Sequence, residues 1–212
     1  MQRRREQVRR GPTMGGTTIH GIVEATRSLL VERGYANLSM RDVADKVGIT
    51  AAAIYRHFPN KDALVDFVVS DTLREFELQL LRAIAPLPVG SFERIAALGS
   101  AYIRIATEHE EQFKVLFTRI GQQPRKLADF PGQCGYHVLR QCVAEAIEAG
   151  AVREADPDLV AFFLWSRVHG IVMLLLACDF GDTLPANIGD MTPENLFTLT
   201  RDFVVGGLQA GP

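Results

Sequence analysis

Cysteine is scarce in this chain: three in 212 residues, an odd number. That usage argues against a disulfide framework and for a reducing interior. The short motifs of metal and nucleotide chemistry are missing too. No CxxC, HExxH, Gly-rich phosphate loop or GxSxG turn occurs, so no enzyme, catalytic residue, metal site or cofactor is expected. Strand-like alternation is absent and no repeat of fixed period appears, which points away from β architectures and solenoids. The basic opening MQRRREQVRRG is not followed by an apolar run, so no secretory signal is expected. Leu159–Cys178 is apolar enough to raise a membrane question, but Arg167 and His169 sit at its middle, where lipid would penalise both. A helix buried on two sides, in a cytoplasmic protein, fits better.

What the chain does hold is helical periodicity with clear punctuation. Ser39 stands at an N-cap position with Asp42 three residues on, a near capping box. Val43, Ala44 and Val47 follow at helical spacing, and Gly48 can take the positive φ that ends the helix. Thr50 caps a second short helix, 51–57, with Ile54 and Phe58 turned to the core; Asn60 caps a third. Two short helices across a Gly turn suit a DNA major groove. Upstream, a helix over about 17–33 carries Ile22, Val23, Ala25, Thr26, Leu29 and Leu30 inward. Downstream, helices are expected over about 60–84, with Leu64, Phe67, Val68, Leu73, Phe76 and Leu80, over about 92–108 capped by Ser91, and near 110–120. The stretch Gly121–Gly135 is either loop or a broken helix start. A further helix runs to Glu148 and stops at Gly150; one opens at Asp156-Pro157 and one at Thr192-Pro193. The fold class is all-α, with about nine helices: residues 1–16 a flexible basic arm, 17–62 a helix-turn-helix domain, and 63–212 a helical bundle.

Charge divides along the same line. Residues 1–61 hold 11 Lys/Arg against 5 Asp/Glu, whereas 62–212 hold 12 against 20. A basic head on an acidic body suits a nucleic-acid contact confined to one end.

These residues carry a family resemblance. Glu32-Arg33-Gly34-Tyr35 leads into Ser39-Met40-Arg41-Asp42-Val43-Ala44. Gly48-Ile49-Thr50, Ile54-Tyr55-Arg56-His57-Phe58 and Asn60-Lys61-Asp62-Ala63-Leu64 follow without a gap. About 50 residues thus resemble the N-terminal domain of the tetracycline-repressor (TetR) family of bacterial regulators. Trp165-Ser166-Arg167-Val168-His169-Gly170 is similar to a W…HG motif in one set of TetR C-terminal domains. The resemblance implies a homodimeric, sequence-specific regulator, a repressor released from double-stranded operator DNA by a small apolar ligand.

By the same resemblance Tyr55, His57 and Lys61 contact the DNA backbone. Ser39 and Thr50 either donate hydroxyls to phosphate or only cap. Base reading is expected from Met40, Arg41 and the first turn of the second short helix, Ala51 and Ala52, with Arg56 alongside. Alanine methyls can touch thymine methyls but read no donor/acceptor code, so Arg41, Arg56 and the arm must discriminate, or DNA shape is read instead. The arm (Arg3, Arg4, Arg5, Arg9, Arg10) either enters a minor groove or is a solvated tail upstream of a start at Met14.

In the body, Tyr102, Phe113, Phe117, Tyr136, His137, Phe163 and Trp165 line either a ligand pocket or a filled core. Tyr102, His137, Trp165 and His169 are the candidate polar anchors. Apolar residues all round the helix that starts at Pro157, Phe162 and Met173 among them, and Phe197, Val204 and Leu208 on the last helix predict a two-fold four-helix dimer interface. Two readings compete: a thiol sensor using Cys134 or Cys142, and a helical interaction module without specific DNA binding.

Overall fold

The computed structural model describes residues 14–117 and 135–177. The fold is all-helical, and eight helices are found among these residues. They are α1 (Met14–Arg33), α2 (Met40–Val47), α3 (Ala51–Tyr55), α4 (Lys61–Ile84), α5 (Phe92–Glu108), α6 (Glu110–Phe117), α7 (Gly135–Glu148) and α8 (Pro157–Ala177). The helix expected at Thr192-Pro193, with Phe197, Val204 and Leu208, lies outside the described residues, as do Cys134 and residues 1–13. The chain divides into two compact units between Val68 and Val69, inside α4.

In the first unit α1 packs on α2 and α2 on α3. Ile22, Leu29, Val43, Ile54, Leu64 and Val68 are fully buried between them. The capping box at α2 is complete: the Asp42 N–H donates to Ser39 Oγ (3.1 Å) and the Ser39 N–H to Asp42 Oδ2 (3.2 Å). Leu38 and Val43, at the N′ and N4 positions of a hydrophobic staple, are both buried. Gly48 ends α2 at φ 77°, with its N–H on Asp45 O and the Ile49 N–H on Ala44 O, a Schellman motif.

Three local expectations shift. First, α1 begins at Met14 rather than near 17, so Gly15 and Gly16 are helical. Second, α3 stops at Tyr55 rather than 57. The His57 and Phe58 N–H groups both turn back to Ile54 O, because the residue before Pro59 is held out of the α region. Third, Phe67 is exposed rather than inward, lying over Phe58 with ring centres 5.3 Å apart.

In the second unit α5 packs on α6, α7 and α8, and α7 on α8. Arg94 of α5 pairs with Glu145 of α7 at 2.8 Å, and Arg140 of α7 forks onto Asp158 of α8 at 2.6 and 3.0 Å. Gly90, before α5, approaches the end of α7 so closely that a Cβ there would stand 2.8 Å from Ala149 Cβ; its φ of 78° also favours glycine. Ser91 occupies the cap position of α5, but its hydroxyl makes no capping bond and is buried without a partner. Asp156 does cap α8, accepting from the Asp158 N–H at 2.8 Å.

Candidate functional site

Six Lys/Arg side chains belong to the described part of the first unit, and their partners separate them. Arg27 is bound to Glu24 at 2.6 Å, Arg33 to Asp42 at 3.3 Å and Lys46 to Glu32 at 2.7 Å. Lys61 Nζ donates to the Tyr35 carbonyl oxygen (3.1 Å) and stands 4.2 Å from the centre of the Tyr35 ring. Arg41 and Arg56 remain, both exposed and neither in a hydrogen bond or ion pair among the described residues. Arg41 lies in the first turn of α2 and Arg56 caps the end of α3, the helix expected to read DNA. His57 and Tyr55 are exposed beside them, Ala52 is exposed and Ala51 half-buried.

Two expected contact residues fall away on inspection. Met40 is only 6% exposed and belongs to the core; as the first residue of α2 it turns its side chain inward with Val43 and Ala44. The Ser39 hydroxyl spends its single hydrogen on Asp42 Oδ2 while accepting from the Asp42 N–H, so none is left for a phosphate. That hydroxyl, followed by Arg33, holds the Asp42 carboxyl below its ordinary range. Thr50 differs: Oγ1 accepts from the Ala53 N–H at 3.3 Å, and its own hydrogen has no acceptor among the described residues. Asn60 accepts from the Ala63 N–H at 2.8 Å and is a cap.

Sequence reasoning missed Tyr35 as a functional residue. Its hydroxyl donates to Asp62, its carbonyl accepts from Lys61 and its ring lies under the same ammonium. One residue, through its side chain and its main-chain carbonyl, thereby ties the α1–α2 turn to the first turn of α4. The available signal was an aromatic directly after the Gly34 stop.

In the second unit Tyr102 is the hub of an aromatic cluster. Phe76 and Phe113 meet it edge-on at 5.3 and 5.6 Å, and Phe117 lies at 6.3 Å. Its hydroxyl is 2.8 Å from His169 Nδ1. His169 also faces Phe117 at 4.8 Å and Trp165 at 5.9 Å. Burial pushes the Tyr102 phenol well above its usual range, with a hydrogen bond from Trp165 working the other way, and pushes the His169 imidazole down. Five expected pocket residues, Tyr102, Phe113, Phe117, Trp165 and His169, thus converge. His137 touches Tyr136 at 5.9 Å, and Tyr136 rather than His137 reaches Trp165. Phe163 does not belong: two positions before Trp165 it lies about 200° round α8, exposed and without a ring partner among the described residues.

That outer side of α8 is apolar. Leu159, Phe162, Phe163 and Leu174 are each 52–69% exposed; Met173 is half-buried. α8 is long and apolar enough to span a bilayer by composition alone, but α5 and α7 pack along it. Cys142 is buried on α7, and burial raises its thiol pKa, the opposite of what a thiol sensor needs.

Two family models match this chain. Residues 22–68 match the family model of bacterial regulatory proteins of the tetR family, and 95–197 match that of the tetracyclin repressor-like C-terminal domain. The transcriptional repressor KstR2 of Mycobacterium tuberculosis is 29% identical over 149 residues, covering 68% of this chain and 74% of that protein. Among solved structures, a protein of unknown function from Rhodococcus sp. RHA1 superposes with a TM-score of 0.76 at 22% identity, covering 94% of this chain and 99% of that one. AibR in complex with isovaleryl coenzyme A and operator DNA superposes with a TM-score of 0.64 at 23% identity, covering 90% and 97%.

Proposed function

We propose that this chain, which belongs to the tetR family of bacterial regulatory proteins, is a homodimeric repressor released from its operator by a small apolar ligand. The observation that carries the DNA-binding half is the sorting of cations. Four of the six Lys/Arg in the described part of the head are tied to protein partners; the other two, without a partner among the described residues, stand in the first turn of α2 and at the C-cap of α3. Arg41 reads base edges, with Arg56 reading or tracking alongside. Tyr55, His57, Thr50 and the remaining donor capacity of Lys61 contact phosphates, and Lys61 does so at a helix N-terminus, where anions are favoured. Ala51 and Ala52 offer methyl groups to thymine methyls.

The ligand half rests on the Tyr102 cluster. α4 is one continuous helix whose first turn is fastened by Tyr35 and whose Phe76 packs on Tyr102. A ligand that displaces Phe76 therefore acts on the same helix that carries Lys61. Coupling of about 1–3 kcal/mol releases an operator by roughly one to two decades. The protein acts in the cytoplasm, where its operator is.

Selection of genomic fragments by the purified protein, followed by footprinting, tests the reading. The expected footprint is two half-sites about 34–36 Å apart along the duplex. No preference over scrambled competitor at physiological ionic strength overturns it.

A further inference from the structure

Two opposite charges stand side by side at the start of α4, Lys61 and Asp62, and Tyr35 holds both. The Lys61 ammonium donates one of its hydrogens to the Tyr35 carbonyl oxygen, 3.1 Å away, and lies 4.2 Å from the centre of the Tyr35 ring. That carbonyl also accepts from the Leu38 N–H at 3.3 Å, so the α1–α2 turn fixes its position. A ring face attracts a cation, and the ammonium is thus held from two sides. Its remaining hydrogens have no acceptor among the described residues. The Tyr35 hydroxyl meanwhile donates to the Asp62 carboxylate.

Both holds matter to an anion arriving at this end of α4. Lys61 is the first residue of the helix, where main-chain N–H groups and the helix dipole favour negative charge. Asp62 is exposed in the same turn and is drawn to that dipole for the same reason, so it competes with a phosphate. Adjacent helical residues do not face each other, and Lys61 therefore does not shield its neighbour. A lysine stem is also costly to order. Fixing it before DNA arrives removes that cost from the binding step.

Resting on the DNA-binding reading above, we propose that Tyr35 is a positioning residue for DNA: its carbonyl and ring hold the Lys61 ammonium ready for a phosphate, and its hydroxyl holds the Asp62 carboxylate off that phosphate. Tyr35 acts through these two side chains rather than through a DNA contact of its own. The effect is independent of base sequence, because a phosphate contact carries no sequence information.

The test is fluorescence anisotropy of the full-length protein on two labelled duplexes at physiological ionic strength. One is a genomic fragment that the protein selects and the other its scrambled version; a thermal melt checks that each variant is folded. Tyr35→Phe keeps the ring and frees Asp62. It should weaken binding to both duplexes about two- to five-fold, the scale of one exposed charge contact, and adding Asp62→Asn should restore it. Tyr35→Leu removes the ring as well and should bind a further factor of about two to five more weakly, the worth of an exposed cation–π contact. With Lys61→Met present, that further loss should vanish. A merely structural Tyr35 gives the same ring loss with and without Lys61 and no rescue by Asp62→Asn, and either result overturns the proposal. So does a loss confined to the selected fragment, since a phosphate contact weakens all sequences alike. Should Tyr35→Leu fail to fold, the rescue of Tyr35→Phe by Asp62→Asn decides alone. If the wild type does not distinguish the duplexes yet the losses and the rescue hold on both, the positioning role stands and sequence-specific reading falls.

Discussion

At the scale of single residues, the head separates groups that hold its shape from groups that face outward, and the two kinds should fail differently. Arg41 has no partner to lose among the described residues, so Arg41→Ala should leave the melting temperature unchanged and cost about 1–3 kcal/mol of operator affinity, concentrated at one or two base positions. Ser39→Ala should do the reverse. It removes the cap of α2, worth about 1 kcal/mol of stability, without altering the salt dependence of DNA binding in the folded protein. A fall in that salt slope would return Ser39 to the phosphate contacts. His169 gives a pH signature. Its folded pKa lies below the ordinary 6.5 because burial disfavours the imidazolium. As pH falls through about 6.5 the unfolded chain takes up a proton that the folded one refuses, so stability declines from there down to the lowered folded value. Above 6.5 this group contributes no pH dependence. Thermal melts of the wild type and His169→Phe between neutral and acidic pH should therefore converge on acidification; parallel curves would show that burial does not perturb His169.

At the scale of elements, α2 is the most exposed to a single substitution. Gly48 adopts φ 77° to close the Schellman motif, and a side chain in that region costs about 1–2 kcal/mol. Gly48→Ala should lower the melting temperature without a steric clash, since no atom lies within 4 Å of an added Cβ; an unchanged melt would mean that the turn re-forms another way. The same elements explain what could be read in advance. Ser39, Gly48, Thr50, Asn60, Gly150 and Asp156-Pro157 mark boundaries through their own backbone chemistry, which is local, so those boundaries were legible, whereas the start of α1 and the end of α3 were not. Met40 and Phe67 were not, because whether an apolar side chain points in or out depends on what the neighbouring helix leaves uncovered. Phe163 failed for a related reason. It is the same residue type as Phe113 and Phe117, and only the turn of α8 separates the face that joins Tyr102 from the face that does not. The Tyr102–His169 hydrogen bond was likewise hidden, since it needs residues 67 positions apart in sequence to meet.

At the scale of the whole molecule, α8 carries the argument for a second copy. Leu159, Phe162, Phe163 and Leu174 fall within about a third of the helix circumference, and each is more than half exposed. Fully burying side chains of this kind contributes about 1.5–3 kcal/mol each, enough in sum to hold a homodimer against the cost of association. Dimerisation and operator affinity are then linked through phosphate count. Two heads on one duplex neutralise twice as many phosphates as one, and the slope of log affinity against log salt scales with that number. The double variant Phe163→Asp/Leu174→Asp places two carboxylates on the exposed face without touching the head or the Tyr102 cluster. Sedimentation should find it monomeric at micromolar concentration, its salt slope should fall to about half that of the wild type, and operator affinity should drop by about two decades or more as the avidity of paired heads is lost. A variant that stays dimeric with an unchanged slope would move the interface off this face of α8. A monomer that keeps the full slope would mean that one head alone makes all the phosphate contacts.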